Sequence, residues 1–274
     1  MNNVIVITGG GGVLCSCFAK ELAKTGAPVA ILDINYEKVE EVAKKIRDEG
    51  GIAKAYCANV LDRDSLEKIR EEIHKDLGFC RVLINGAGGN NPKCTTDKEY
   101  YEEGDADDES IKSFFSLDKS GFDFVFDLNI KGTLLPTQVF ARDMLSEDNC
   151  CILNISSMNA FTPLTKIPAY SAAKSAVSNF TQWLAVHFAK QNIRVNAIAP
   201  GFFVTAQNKA LLFNDDGTPT PRTDKILNST PMGRFGKPEE LLGAVKWLID
   251  EEAASFVTGV IIPIDGGFSA YSGV

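Results

Sequence analysis

Short apolar runs alternate along this chain with segments whose apolar residues recur every three or four positions. Val4-Ile5-Val6-Ile7 is apolar throughout and ends at Thr8 and a glycine cluster. Leu14, Phe18 and Leu22 follow at four-residue spacing and predict a helix that Gly26 stops. Pro28 to Leu32 predicts a second strand ending at Asp33. Val39, Val42, Ala43 and Ile46 mark a second helix, closed by Gly50-Gly51. A third strand runs from Ile52 to Cys57, a third helix carries Leu66, Ile69, Ile73 and Leu77, and Arg81 to Ile84 is a fourth strand. The pattern resumes with a long helix from about Phe122 to Leu145, in which Pro136 should cause a bend or a break. Strands Cys150–Ser156, Ile193–Ala199 and Val260–Ile264 are interleaved with helices Ala169–Lys190 and Pro238–Glu251, the last opening on proline.

Strands that are apolar on both sides and alternate with helices imply a parallel sheet covered on both faces. Seven strands and about six helices fit an α/β fold: a single doubly wound Rossmann domain over residues 1–274, with a seven-stranded parallel sheet and helices on both faces. At roughly 150 residues per domain the length alone would leave one or two domains open. No linker or composition break divides the pattern. Two segments interrupt it. Residues 97–109 hold eight acids against the single base Lys98, within an acidic insertion of about 94–119. Residues of about 202–230, with Gly217, Pro219 and Pro221, lack clear periodicity and read as a substrate lid.

Composition narrows the function classes. With 45% apolar and 23% charged residues, the chain is neither disordered nor fibrous. Its net charge of −8 repels phosphate backbones, which argues against nucleic acid as a partner. Residues 97–109 alone contribute −7 of that charge, so the remainder is nearly neutral. No apolar run approaches the ~20 residues that span a bilayer, and the start of the chain lacks the basic stretch of a signal peptide. Seven scattered cysteines suit a reducing compartment, so the expected location is cytoplasmic. The pairs Cys15/Cys17 and Cys150/Cys151 lack metal-ligand spacing and nearby histidine, so no metal is expected. His74 and His187 read as ordinary helix residues.

Thr8-Gly9-Gly10-Gly11-Gly12-Val13-Leu14-Cys15 joins the first strand to the first helix. Glycines there let the backbone turn tightly and approach a pyrophosphate seated on the positive helix N-terminus. Asp33, at the end of the second strand, lies 24 residues beyond Gly9. Its carboxylate would accept the ribose hydroxyls of NAD and repel the 2′-phosphate of NADP. A solvated loop start would also suit an aspartate; the glycine turn beside it favours the ribose. No cation follows immediately, since Ile34, Asn35 and Tyr36 come next. NAD is the expected cofactor.

Three further segments fall where strands should end, the place at which ligands bind open α/β sheets: Asn85-Gly86-Ala87-Gly88, Asn154-Ile155-Ser156-Ser157 and Pro200-Gly201. Tyr170 and Lys174, four apart, share one helical face, and Ser157 stands 13 residues before Tyr170. With Asn129 in the long helix, these motifs together resemble the short-chain dehydrogenase/reductase family over essentially the whole length. The resemblance implies that Tyr170 is the acid/base and that Ser157 hydrogen-bonds the substrate oxygen. It also implies that Lys174 lowers the pKa of Tyr170 and holds the ribose, while Asn129 anchors a proton relay. An unassisted tyrosine, with a pKa near 10, is too weakly acidic for this work at neutral pH. The cofactor would be held by Gly9, Gly12, Val13, Leu14, Asp33, Asn59, Val60, Asn85, Gly86, Ala87, Tyr170, Lys174, Pro200, Gly201, Phe203 and Thr205. The glycine loop departs from the usual T-G-x-x-x-G-x-G: it reads as one residue shorter, with Cys15 at a site usually small. Ala58-Asn59-Val60 stands where the family commonly has Asp-Val, so Asn59 would meet adenine as an amide.

The loop Gly88-Gly89-Asn90-Asn91-Pro92-Lys93 offers amides and a cation where most family members continue with an apolar residue. Asn90, Asn91, Lys93, Asn159 and Arg222 are the candidate substrate residues, with Gln207, Asn208 and Lys209 beside them in the lid. Amides suit sugar hydroxyls, and Lys93 or Arg222 would suit a carboxylate. Polar loops in plain solvent are the bland alternative. The glycine loop, this loop, the acidic insertion and Pro200-Gly201-Phe202-Phe203 resemble the D-mannonate oxidoreductase (fructuronate reductase) branch. That implies NAD(H)-linked interconversion of a sugar-acid substrate, D-mannonate, with D-fructuronate. Another sugar-acid or polyol dehydrogenase, such as a gluconate 5-dehydrogenase-like enzyme, is the alternative within the class. A catalytically silent NAD-binding sensor or scaffold is the alternative outside it. The resemblance also implies a homotetramer, paired through the helices carrying Asn129 and Tyr170. Phe124, Leu128, Val177, Phe180, Leu184 and Phe188 are expected beyond their core faces, with Trp183 either core or interface.

Overall fold

The computed structural model describes residues 3–205 and 209–273. Its strands are β1 (Asn3–Thr8), β2 (Val29–Asp33), β3 (Ala53–Cys57), β4 (Phe79–Asn85), β5 (Cys150–Ile155), β6 (Ile193–Pro200) and β7 (Ile261–Ile264). They form one sheet in the order β3-β2-β1-β4-β5-β6-β7, with every neighbouring pair parallel. The order reverses between β1 and β4, which opens a crevice beyond their carboxyl ends.

The two-sided burial follows directly from the strand sequences. Ile5 and Ile7 face one layer, with Phe18 and Leu22 of α1 (Val13–Ala23) and Val39 and Ile46 of α2 (Tyr36–Asp48). Val4 and Val6 face the other, with Leu66 and Ile73 of α3 (Arg63–Asp76). The helix starts have local causes. Asn35 accepts from Lys38 N at 3.1 Å and Asp62 from Ser65 N at 3.0 Å, satisfying N–H groups that have no partner within the helix.

The long helix differs from the expected Phe122–Leu145. It opens as α4 (Lys119–Phe126), passes through a π turn over Asp127–Lys131, continues as α5 (Gly132–Phe140) and closes in a 3₁₀ turn, Ala141–Asp143. Pro136 lies inside α5 without ending it. The departure from α geometry is the π turn, centred on Asn129. Asp143 is a buried anchor that periodicity did not reveal. Its carboxylate takes Arg70 Nε at 2.6 Å, His74 Nε2 at 2.8 Å and Cys80 N at 3.2 Å, tying α3 to β4.

α6 (Pro168–Phe188) begins on proline and packs against β6. Of the residues expected beyond the core faces, Val177 and Leu184 are buried within the chain, because both point from α6 into its own core. Phe180 and Phe188 are half-buried against that core, whereas Phe124 and Trp183 are exposed. The segment after β6 is less irregular than its sequence suggests: it holds α7 (Lys209–Leu212) and α8 (Pro221–Asn228), capped by Thr220. The final helix divides into a 3₁₀ turn, Pro238–Leu241, and α9 (Leu242–Ile249). Among the described residues, no helix is long and apolar enough to cross a membrane.

Candidate active site

The turn from β1 into α1 is built for close backbone approach. Gly9 has φ +65°, and a Cβ there would lie 2.8 Å from the backbone of Gly86 and Ala87. Gly12 occupies the N-cap of α1 with no side-chain cap, so the first N–H groups of α1 have no side-chain partner from the cap. Val13 is exposed and Leu14 half-buried at that helix start. Asp33 Oδ2 accepts from Gly11 N at 3.1 Å and Oδ1 from Asn35 N at 3.0 Å, fixing the carboxylate at the end of β2. Lys38 also approaches this turn, since a Cβ on Gly11 would meet Lys38 Cβ at 3.0 Å. A glycine cradle that any Cβ would fill, an uncapped helix start and a fixed carboxylate suit a dinucleotide.

The remaining predicted cofactor residues fall at or just beyond the carboxyl ends of β3, β4 and β6 and in the first turns of α6. Thr8 Oγ1 accepts from Gly86 N and Ala87 N at 3.1 and 3.3 Å, a positioning role that sequence reasoning missed. Asn59 is exposed and uses Oδ1 to accept from Leu61 N, while Val60 is buried against Gly132 at the start of α5. Gly201 N donates to Ile264 O, and a Cβ on Gly201 would strike Asp265 Cα at 2.5 Å. Pro200 ends β6, Phe203 is buried over Gly236, and Thr205 O accepts from Lys209 N. Asn85 turns its side chain inward: Nδ2 donates to Thr137 Oγ1 at 3.0 Å and Asn154 Oδ1 at 2.9 Å. Asn154 in turn donates to Thr181 Oγ1, so a buried polar chain links β4, β5, α5 and α6 beneath the crevice.

Ser157, Tyr170, Lys174 and Asn129 converge above that floor. Lys174 is buried, its Nζ donating to Ile155 O at 2.8 Å and lying 5.6 Å from the centre of the Tyr170 ring. Burial pushes the Lys174 ammonium down to about 8. Burial pushes the Tyr170 phenol up, and its hydrogen bond with Ser157 acts against that rise. Asn129 Nδ2 donates to Gly89 O at 2.8 Å and Val125 O at 2.7 Å, while Oδ1 accepts from Gly89 N at 3.3 Å. Gly88 must be glycine for this assembly to close. A Cβ there would lie 2.7 Å from Asn129 Oδ1 and 3.1 Å from Lys174 Nζ.

Cys15 replaces the expected small residue by using space on the opposite wall. Its buried thiol, pushed up to about 12 by desolvation, occupies the volume that a Cβ on Gly86 would need.

The candidate substrate residues have less uniform surroundings. Asn90 donates to Thr95 Oγ1 at 3.2 Å, and Asn91 Oδ1 caps a 3₁₀ turn through Lys93 N at 2.9 Å. Lys93 Nζ lies 3.8 Å from Asp118, so it faces the start of α4. Asn159 is buried just after Ser157, and its Oδ1 has no hydrogen-bond partner among the described residues. Arg222 sits exposed on α8, near Glu99. Gln207 and Asn208 lie outside the described residues.

The geometry agrees with comparisons to known proteins. A model of the short chain dehydrogenase family matches residues 3–215. A solved structure from Haemophilus influenzae, of a candidate D-mannonate oxidoreductase with bound NAD, superposes with a TM-score of 0.96. It is 62% identical and covers 100% of this chain and 97% of its own. The Bacillus subtilis protein named uncharacterized oxidoreductase UxuB is 55% identical over 98% of this chain and 95% of its own length. The 5-keto-D-gluconate 5-reductase of Escherichia coli strain K12 is 32% identical, over 96% of this chain and 94% of its own. Cradle, crevice and these relatives together lead to one conclusion: the chain belongs to the short chain dehydrogenase family and is an oxidoreductase.

Proposed function

We propose that the chain is an NAD(H)-dependent oxidoreductase that interconverts D-mannonate and D-fructuronate. The observation that carries the chemical class is the convergence of Ser157, Tyr170, Lys174 and Asn129 beside the glycine cradle. The substrate reading is supported by the 62% identity to the Haemophilus candidate D-mannonate oxidoreductase. The amide-rich loop and the unsatisfied amide oxygen of Asn159 suit a polyhydroxylated acid.

A dinucleotide held by the Gly9–Gly12 turn and Asp33 would supply or take up the hydride. Tyr170 exchanges the proton of the substrate oxygen, and Ser157 donates a hydrogen bond to that oxygen. Lys174, cationic below about pH 8, favours the phenolate of Tyr170. Asn129 orders the backbone of Gly89 beside the proton path. Asp33 at the ribose position favours NAD over NADP.

A gluconate 5-dehydrogenase-like activity is the second reading, favoured by the 32% identity to the Escherichia coli 5-keto-D-gluconate reductase. Following NADH absorbance with D-fructuronate and 5-keto-D-gluconate separates the two. Faster turnover of the gluconate would overturn the first. Residues of about 94–119 form the insertion and about 202–230 the lid of a single domain. Exposed Phe124, Trp183 and Val186 support a homotetramer, which sedimentation equilibrium tests. Seven free thiols support a cytoplasmic setting.

A further inference from the structure

The acidic insertion is largely tied up with itself. Lys98 Nζ bonds Asp105 at 2.7 Å and also pairs with Glu102. Asp97 and Lys112 join through their backbones and the Asp97 carboxylate, and Asp108 accepts from Ser110. Glu99 points elsewhere: its Oε1 lies 2.8 Å from Lys225 Nζ on α8. Arg222, three residues earlier on the same helix, shares that face. Lys166 approaches from the loop before α6, where Thr96 N donates to Lys166 O at 2.9 Å. Lys225, Lys166 and Arg222 all hold the Glu99 carboxyl below its usual range, Lys225 most directly through its hydrogen bond.

Three segments that leave the carboxyl ends of β4, β5 and β6 therefore meet at Glu99. Lys166 stands four residues before Tyr170, in the loop that joins the turn after Ser157 to α6. Lys225, Lys166 and Arg222 thus gather at the single carboxylate of Glu99, and of the three Lys225 bonds it directly. Within the proposed sugar-acid chemistry, we infer that Arg222 and Lys166 form the site that binds the substrate carboxylate, with Glu99 holding Lys225 and so docking α8 beside it. Guanidinium pairs with carboxylate through two parallel hydrogen bonds, and Lys166 adds a point charge. The insertion then serves the lid, and Lys93, which faces Asp118, is left outside the site.

D-fructuronate and D-fructose differ in a carboxylate replacing a hydroxymethyl group, so the ratio of their kcat/KM values reads this site directly. Wild type, Arg222→Gln, Arg222→Lys and the double variant Arg222→Gln/Lys166→Gln are compared, with NADH affinity as the folding control. The double variant is expected to lose at least tenfold of the preference for D-fructuronate, and Arg222→Lys to keep most of it. An unchanged ratio in a double variant that still binds NADH overturns the inference. Should wild type reduce neither sugar, the functional reading falls, and the site is tested by titrating D-mannonate and D-gluconate into NADH-loaded enzyme. Binding at least tenfold weaker in the double variant supports it; equal affinities, or no binding by wild type, overturn it.

Discussion

Asn129 grips the backbone of Gly89 at both ends of its amide, donating to the carbonyl at 2.8 Å and accepting from the N–H at 3.3 Å. The grip exists because the helix changes to a π turn at Asp127–Lys131, which turns Asn129 toward the loop after β4. Replacing Asn129 by Ala removes three hydrogen bonds from a fully buried residue and leaves the Gly89 groups without these partners. Asn129→Ala is therefore expected to lose about 2–4 kcal/mol of stability by urea unfolding and at least tenfold in turnover. A stability change below about 0.5 kcal/mol would contradict the clamp.

Cys15 and Gly86 compete for one volume. A Cβ on Gly86 would lie 2.1 Å from Cys15 Sγ, and the next atom, Thr8 O, would be 2.9 Å away. Gly86→Ala should cost ~1–3 kcal/mol through overpacking. Adding Cys15→Ala should return part of that loss, giving a favourable coupling of at least about 1 kcal/mol in a double-mutant cycle. Additive losses would show that the backbone clash with Thr8 dominates.

Strands β1, β2 and β5 were readable because residues buried on both faces leave continuous apolar runs. Tyr170 and Lys174 were readable because a four-residue spacing fixes a shared helix face. The π turn at Asn129 was not, since one extra residue in a turn hardly disturbs apolar periodicity. Nor was the partnership of Glu99 with Lys225, which are 126 residues apart and meet only when three strand ends converge. Lys93 and Arg222 looked equivalent as loop cations; only the fold sets Asp118 beside one and Glu99 near the other.

Lys174 carries a stability cost that depends on pH. Burial lowers its pKa from 10.5 to about 8, so between those values the unfolded chain binds more protons than the folded one. Stability from this group therefore rises as pH increases from about 8 to 10.5, by up to about 3 kcal/mol. Below about 8 the full cost is present. Lys174→Met removes it while forfeiting about 1 kcal/mol of bonding to Ile155 O. The variant should be inactive yet about 1–3 kcal/mol more stable at pH 7, with the gap closing toward pH 10. A gap that widens with pH would reverse the sign of the argument.

Tyr170 and Ser157 set the direction of the pH–rate profile. Alcohol oxidation needs the phenolate of Tyr170, so kcat/KM in that direction should rise with pH as Tyr170 ionises, while ketone reduction should fall. Burial raises the phenol and Ser157 opposes the rise. Ser157→Ala removes the opposing hydrogen bond, so its inflection is expected at higher pH than that of wild type. Tyr170→Phe should cost 10²–10⁴-fold in turnover, on the order typical of a lost acid/base group, while NADH binding persists. Stopped-flow measurements in both directions from pH 6 to 11 read these effects, and an inflection that moves downward in Ser157→Ala would remove Ser157 from the acid/base pair.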